Sequence, residues 1–522
     1  MPPRSPPERR VGIVDLGSNT ARLVVFSCTG DRWFRLTDSI RERVRLAAGM
    51  DENGLLRSDA IDRALAALQL FSDFGAAAGI AETKVFATSA VRDAANGPAL
   101  VRAIEALGLE VQVLSGAEEA ELGVSAVANG FACPDAWVVD LGGGSAQVSR
   151  MEGRRFAWGA AHPLGAVRLT ERFFGPRDGR GAAADPPSRS RVAKLEEEVG
   201  RRLEGVAERM RGDRDPQIAL GGTVRSLAGA VQHAAAYPLD LLHGYRLERR
   251  ALEELTAELL ARTSSERAAI PGINPDRADV IVAGALVFRW LLRHGDRDHL
   301  VVSGDGVREG ALFHHLLPEP HRVEDVRRHS IQNLFQRYPQ PAAHTEAVRR
   351  LSVELFDALA PLHGLGEWER GLLDDAGVLH DIGMTVSYYG HHRHGAFLIE
   401  NSGLAGYSHR ELAMIAILVR YHRKGSVGAG ALRSLLEAGD LDRVRPLAIC
   451  LRLAEHLERS RSGRIHGLRA RIGKRTVRVE LDSPTRPTVE IWQAEKDARA
   501  FESVFGRRLE IVHGSQEIPN PS

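Results

Sequence analysis

The stretch VDLGSNT, at Val14–Thr20, links an apolar run at Val11–Asp15 to another at Leu23–Phe26, and VDLGGGS, at Val139–Ser145, does the same between Trp137–Asp140 and Ala146–Met151. Each reads as strand, aspartate, tight turn of small residues, strand. A unit used twice in one chain predicts two related lobes facing each other across a cleft. Between the two copies, strands expected at Val85–Ser89 and Val111–Leu114 alternate with helices expected at Arg57–Phe74, Pro98–Leu107 and Ala117–Val127, which is an α/β pattern. The last of these helices carries Glu118 and Glu119 in its first turn.

Small residues in a turn leave backbone N–H groups unobstructed, and such concave nests bind phosphate oxygens. Gly17, Ser18, Asn19 and Thr20 in the first turn and Gly142, Gly143, Gly144 and Ser145 in the second are therefore the expected phosphate-binding residues. Phosphate chains travel with magnesium, which keeps most of its waters and is held by one or two carboxylates. Asp15 and Asp140, at the strand ends, are suited to holding it directly or through water. Neither turn is followed by the Gly-Lys-Ser/Thr of a Walker loop, and neither opens a helix as a dinucleotide fingerprint requires.

The chain has 522 residues, more than one hydrophobic core usually organises, and its 43% apolar and 26% charged residues are ordinary globular composition. A net charge of +1 supplies no global field for nucleic acid or an anionic membrane, so neither is an expected partner. Three scattered cysteines, Cys28, Cys133 and Cys450, argue against a disulfide framework. No run approaches the ~18 apolar residues of a membrane span, and a cytoplasmic protein is expected. The domain reading is a disordered leader at 1–10, a first lobe at 11–130 and a second at 131–318, with 298–315 returning to the first. Pro176–Arg191 reads as a surface loop. A helical domain follows at 321–464, then a small α+β subdomain at 465–513, with strands expected at TVRVEL, TVEIW and RLEIV and a helix at Ala494–Phe505, and a tail at 514–522.

The paired turns imply the two-lobed ATPase fold shared by actin, sugar kinases and heat-shock chaperones, a ribonuclease H-like architecture. Within it the chain resembles the exopolyphosphatase and guanosine pentaphosphate phosphatase (Ppx/GppA) family. The resemblance rests on VDLGSNTARL, ATSAVRDAANG at Ala87–Gly97, LSGAEEAELG at Leu114–Gly123, VDLGGGSAQV and PLGAVRLTERF at Pro163–Phe173. It continues through ALGGTVRSLA at Ala219–Ala228, RADVIVAGALV at Arg277–Val287 and VSGDGVREGAL at Val302–Leu312. It implies in-line attack of water on a terminal phosphoryl group, releasing orthophosphate from inorganic polyphosphate, guanosine pentaphosphate or both, with magnesium as cofactor. It further implies Glu119 as the residue that orients or deprotonates the water, with Glu118 the alternative, and places Arg22 and Arg92 near the phosphate chain. Gly222 and Thr223 resemble the third loop of the fold. The family's usual GGGS-x-E is broken here by Gln147. Long relatives suggest a homodimer, and guanosine penta- or tetraphosphate or polyphosphate is the expected ligand.

In the helical region, the order His344, His380-Asp381, His394, His422, with Glu455 where a closing aspartate is expected, resembles an HD-domain metal-hydrolase constellation. It implies a second divalent metal, manganese or similar. Such a domain is open to a catalytic, a metal-bound regulatory or a substrate-binding role. Three other readings of the chain stand beside hydrolysis at the turns: a kinase of the same fold, a regulatory nucleotide-binding protein with weak activity, and phosphohydrolase or phosphodiesterase chemistry in the helical domain itself.

Overall fold

Asp15 lies near the end of β1 (Glu8–Leu16), which turns at once into β2 (Ala21–Thr29), and Asp140 lies in the same place between β6 (Ala136–Leu141) and β7 (Ala146–Glu152). The two hairpins are closed by the same bond, Gly17 N–H to the Thr20 carbonyl at 3.0 Å and Gly142 N–H to the Ser145 carbonyl at 3.0 Å. Their registers also match, with Asp15 opposite Arg22 and Asp140 opposite Gln147. The computed structural model describes residues 8–29, 33–48, 50, 54–175 and 185–514.

Each hairpin grows into a mixed sheet. The first adds β3 (Trp33–Glu42), β4 (Glu82–Ala87) and β5 (Glu110–Val113) in the order β3-β2-β1-β4-β5. The second adds β8 (Arg155–His162), β9 (Gln217–Leu220), β10 (Arg246–Glu248) and β11 (His299–Val302) in the order β10-β11-β9-β6-β7-β8. In both, the hairpin strands run antiparallel and the strand on the other side of the aspartate-bearing strand runs parallel to it. Apolar residues from alternating strand positions and from the crossover helices fill separate cores for the two sheets.

Several expectations shift. Strand pairing begins at Glu8, opposite Thr29, so residues 8–10 belong to β1 rather than to a leader; residues 1–7 lie outside the described residues. Of the loop expected at Pro176–Arg191, residues 176–184 lie outside the described residues, and a helix, Arg189–Met210, starts within its end. The tail beyond 514 also lies outside them. Within 298–315, β11 completes the second sheet, and only the helix Val307–Leu316 packs on the first lobe, through Ala311, Leu312 and Leu316 against Val11, Ile13 and Phe26. The helix Gly116–Gly130 serves both lobes, with Leu122 in that same cluster and Val124 and Val127 against Val138 and Ile218.

By its contacts the chain divides into two units, one ending at Val326 and the other consisting mainly of Arg327 onward. The second unit is helical from Val326–Arg337 to Asp440–Leu457 and ends in a three-stranded sheet of β12 (Gly467–Ile472), β13 (Thr476–Asp482) and β14 (Arg508–His513). TVEIW is not a strand but the start of the helix Thr488–Glu495. A strand would put Val489 and Ile491 on one face; the chain buries Ile491 with Glu490 and Ala494, at helical spacing, and exposes Val489 and Trp492. Among the described residues no helix is long and apolar enough to cross a membrane.

The second hairpin's turn is held from below by Gly165, where any Cβ would overlap the backbone of Gly143 and Gly144. Gly165→Ala must displace that turn. The expected result is a loss of roughly 1–3 kcal/mol of stability, as for other over-packing substitutions, read as a lower unfolding temperature, together with a larger loss of activity than the stability change explains.

Candidate active site

The turns meet tip to tip. Ser18 Oγ lies 3.1 Å from Ser89 Oγ, and a Cβ on Gly144 would stand only 2.7 Å from Ser18 Oγ and overlap Ser89. The turn carbonyls are consumed from behind: Ser18 and Asn19 accept from Ala47, Val44 and Arg45, and Gly142 and Gly143 accept from Ala166, Val167 and Arg168. Among the described residues no acceptor takes the N–H of Ser18, Asn19, Gly143 or Gly144, the arrangement an anion nest requires.

A cavity of about 470 Å³ opens at this contact. Of the residues expected from the sequence it is lined by Asp15, Gly17, Ser18, Asn19, Thr20, Arg22, Glu119, Asp140, Gly142, Gly143, Ser145 and Gly222. Three others fall behind the wall. Gly144 backs onto Ser18 and Ser89, Thr223 is fully buried against Gly284, and Arg92 reaches the site through Glu119. Four arginines that sequence reasoning did not single out also line it: Arg41, Arg225, Arg277 and Arg308. Arg225, Arg277 and Arg308 all lie in quoted motifs, so the signal was present but masked by the abundance of arginine. Crowding and burial press on Arg22, Arg225 and Arg277. Arg22 falls to about 10, through burial and its neighbours Arg308 and Arg225, and Arg277 falls to about 10, through burial and Arg225, Arg41 and Arg308. Asn19 Nδ2 and Arg308 Nε are buried donors without a hydrogen-bond partner among the described residues. Cations that repel one another and idle donors fit a polyanion.

The two glutamates at the helix start have separate tasks. Glu118 is the return half of a capping box: its carboxylate accepts from the Ser115 N–H at 2.7 Å, and its own N–H bonds Ser115 Oγ. Glu119 turns inward, is 7% exposed, and accepts from Arg92 Nη1 at 3.3 Å, while Arg92 also donates to the Leu114 carbonyl at 2.7 Å. Burial, then the nearby Asp140, push Glu119 up to about 8 against the pull of Arg92. Asp140 is raised to about 6, first by burial and, against the pull of Arg225, by Asp15; Asp15 is raised too, by burial and, against the pull of Arg308, by Glu309. Neither aspartate is within ion-pair distance of a basic side chain among the described residues. Hard oxygen donors, buried and without a counter-ion, fit magnesium. Gln147, opposite Asp140, donates to Ser145 Oγ at 2.9 Å and leaves Oε1 buried without a partner.

In the helical unit, His344, His380, Asp381, His422 and Glu455 are buried together, supplied by four helices or their ends. Glu455 Oε2 stands 3.3 Å from His344 Nε2 and 3.4 Å from His380 Nε2. His394 does not join them; His391 does, with Nε2 3.2 Å from Asp381 Oδ1 and 3.2 Å from His422 Nε2. The reason is packing. The helix His391–Glu400 rests on Gly383 through the backbone of His391 and Gly395. At about 100° per residue, His391 lies about 40° from Gly395 around the helix and His394 about 100° away.

Two matching half-sheets with aspartates at facing hairpin tips define a protein of the two-lobed actin-like fold, with a cleft between the lobes and a helical domain after them. The chain belongs to the Ppx/GppA phosphatase family: residues 24–319 match the family and residues 326–490 match its domain III. An exopolyphosphatase from Cytophaga hutchinsonii is 25% identical over 59% of this chain and 98% of its own, with a TM-score of 0.54. An exopolyphosphatase-like protein is 25% identical over 59% and 100%, with a TM-score of 0.51. A family member from Aquifex aeolicus is 28% identical over 59% and 97%, with a TM-score of 0.49.

Glu119 holds its proton more tightly in the folded chain than in an unfolded one. Folding is therefore favoured while it stays protonated, and stability is lost as pH rises from the ordinary carboxylate range through about 8. Glu119→Gln, neutral throughout, should unfold at nearly the wild-type temperature near pH 5 and several degrees above it near pH 9, measured with chelator present.

Proposed function

We propose that the cleft hydrolyses terminal phosphoanhydride bonds and that its preferred substrate is inorganic polyphosphate, with guanosine pentaphosphate as the second candidate. The observation that carries the reaction is Glu119, a buried carboxylate of raised proton affinity held by Arg92 beside two phosphate nests and two unpaired aspartates. The observation that favours an inorganic chain is the lining itself. It contains five arginines and no phenylalanine, tyrosine or tryptophan, so a guanine ring would find nothing to stack on.

The turn N–H groups and arginines bind and orient the phosphate chain, with Arg22, Arg225, Arg277 and Arg308 spreading its charge. Glu119 accepts the proton of the attacking water, and Arg92 fixes its carboxylate and keeps it within reach of ionisation. Asp15 and Asp140 would hold magnesium, which supplies neutralisation of the phosphoryl oxygens. The leaving phosphate departs with the chain, one unit shorter, and orthophosphate is released.

The test is orthophosphate release, with no alcohol acceptor added, from polyphosphate and from guanosine pentaphosphate. Release should require magnesium and fall about 10²-fold or more in Glu119→Gln. Glu118→Ala should keep activity within a few fold while losing the ~1 kcal/mol of a helix cap. No release from either substrate, or equal loss in both variants, would remove this reading; faster release from guanosine pentaphosphate would reverse the substrate order. Arg277→Ala should raise KM more than it lowers kcat, since its cation acts on the bound chain before and during reaction.

A further inference from the structure

We propose that Arg168, on the second lobe, is a positioning residue for hydrolysis in the cleft. By engaging Asp93 of the first lobe it keeps that carboxylate off Arg92, and so leaves the Arg92 guanidinium to Glu119 only while the lobes are together, a role that rests on reading Glu119 as the base.

The chain sets up a competition for one cation. Arg92 and Asp93 are neighbours in SAVRDA, so the guanidinium that Glu119 needs has a second carboxylate one residue away. Arg92 ends the short helix Ser89–Arg92 and Asp93 caps it, its N–H bonded to the Ser89 carbonyl at 2.9 Å. Asp93 Oδ1 stands 3.4 Å from Arg92 Nε, and Glu119 Oε2 stands 3.3 Å from Arg92 Nη1. At nearly equal distances two acids divide the field of a single guanidinium. Burial and Asp140 oppose a charge on Glu119, and Arg92 is what favours it. Whatever share of Arg92 goes to Asp93 is therefore lost to the base.

Arg168 resolves the competition from the other lobe. It lies on the helix Ala166–Phe174, which follows β8, and its Nη2 donates to Asp93 Oδ2 at 2.7 Å. That bond is much shorter than the 3.4 Å from Asp93 to Arg92, so Asp93 belongs first to Arg168. The same residue supports the second turn, its N–H donating to the Gly143 carbonyl at 3.2 Å. Backbone and side chain of Arg168 thus join one phosphate nest to the neighbour of the base's clamp. Ser89, which opens the short helix that Asp93 caps, is also where Ser18 and Gly144 meet. A displacement that parts the tips also parts Arg168 from Asp93 and returns Asp93 to Arg92. Glu119 is then fully held only in a closed cleft.

Neither Asp93 nor Arg168 lines the cavity, so neither is placed to bind substrate. Their side chains are 38% and 37% exposed, and ion pairs so open to water add little to stability. A role in binding or in packing would therefore leave a different trace from a role through Arg92.

The experiment measures orthophosphate release from polyphosphate with magnesium, and the unfolding temperature, for the full chain carrying Arg168→Ala, Arg168→Lys, Asp93→Asn, or Arg168→Ala with Asp93→Asn. Arg168→Ala should lower kcat about tenfold or more, since a small misplacement of a catalytic group suffices. Its KM should stay within about threefold of wild type, because substrate binding is not its task, and its unfolding temperature should stay within a few degrees. Arg168→Lys, which keeps the charge, should recover part of the rate. Asp93→Asn removes the competitor, so adding it to Arg168→Ala should restore most of the lost kcat. A brace between lobes predicts the opposite, a double variant no faster than Arg168→Ala. In a Glu119→Gln chain, Arg168→Ala should cost nothing further, because its effect passes through that carboxylate. Unchanged kcat in Arg168→Ala, a large fall in its unfolding temperature, no recovery in the double variant, or a further loss in the Glu119→Gln chain would each overturn the role of Arg168 while leaving the wild-type reaction in place. A wild type that releases no orthophosphate removes the reading of the cleft itself, and the role of Arg168 with it.

Discussion

Everything in the cleft depends on two hairpin tips touching where there is no room for a side chain. Gly144 packs on Ser18 and Ser89, and Gly165 supports it from the other side. Because the contact is backbone to small side chain, the aspartates ending β1 and β6 are brought to one cavity, although they lie in different sheets. A larger residue at the tips would separate the sheets by the width of a methyl group or more, a misplacement that costs catalysis far more than it costs stability.

That contact forces a concentration of charge that folding alone would not favour. Three carboxylates with raised proton affinities and arginines with weakened ones share one cavity. The two aspartates have no ion-pair partner among the described residues, and Arg22 and Arg277 are pushed down by burial and by one another's neighbours. The magnesium and phosphate chain proposed above would relieve both together. The buried Asn19 amide and Arg308 Nε have no hydrogen-bond partner among the described residues.

The hairpins and the alternation around them were legible because turn chemistry is local, glycine and aspartate acting within a few residues, whereas Glu119 was singled out through the family resemblance. What was not legible depends on packing partners remote in sequence. Glu118 and Glu119 are adjacent and alike, and only Ser115 behind one and Arg92 across from the other separates them. His391 and His394 sit in one histidine-rich run, and the choice is made by Gly383 against Gly395. TVEIW alternates as a strand does, but burial of Glu490, Ile491 and Ala494 selects a helix. Arg225, Arg277 and Arg308 were hidden by composition, since in so arginine-rich a chain residue type alone carries little information.

The donor sets of the two sites also differ in kind. The cleft offers carboxylate oxygens only, a set suited to a small hard ion that keeps its waters, whereas the helical cluster offers four imidazoles with two carboxylates, a set that ranks first-row transition ions well above magnesium. The geometry reinforces the choice. Imidazoles whose Nδ1 atoms are tied to Gly377, Tyr388 and Val419 cannot swing aside to admit the water shell that magnesium retains. Asp15 and Asp140 instead line a cavity of about 470 Å³.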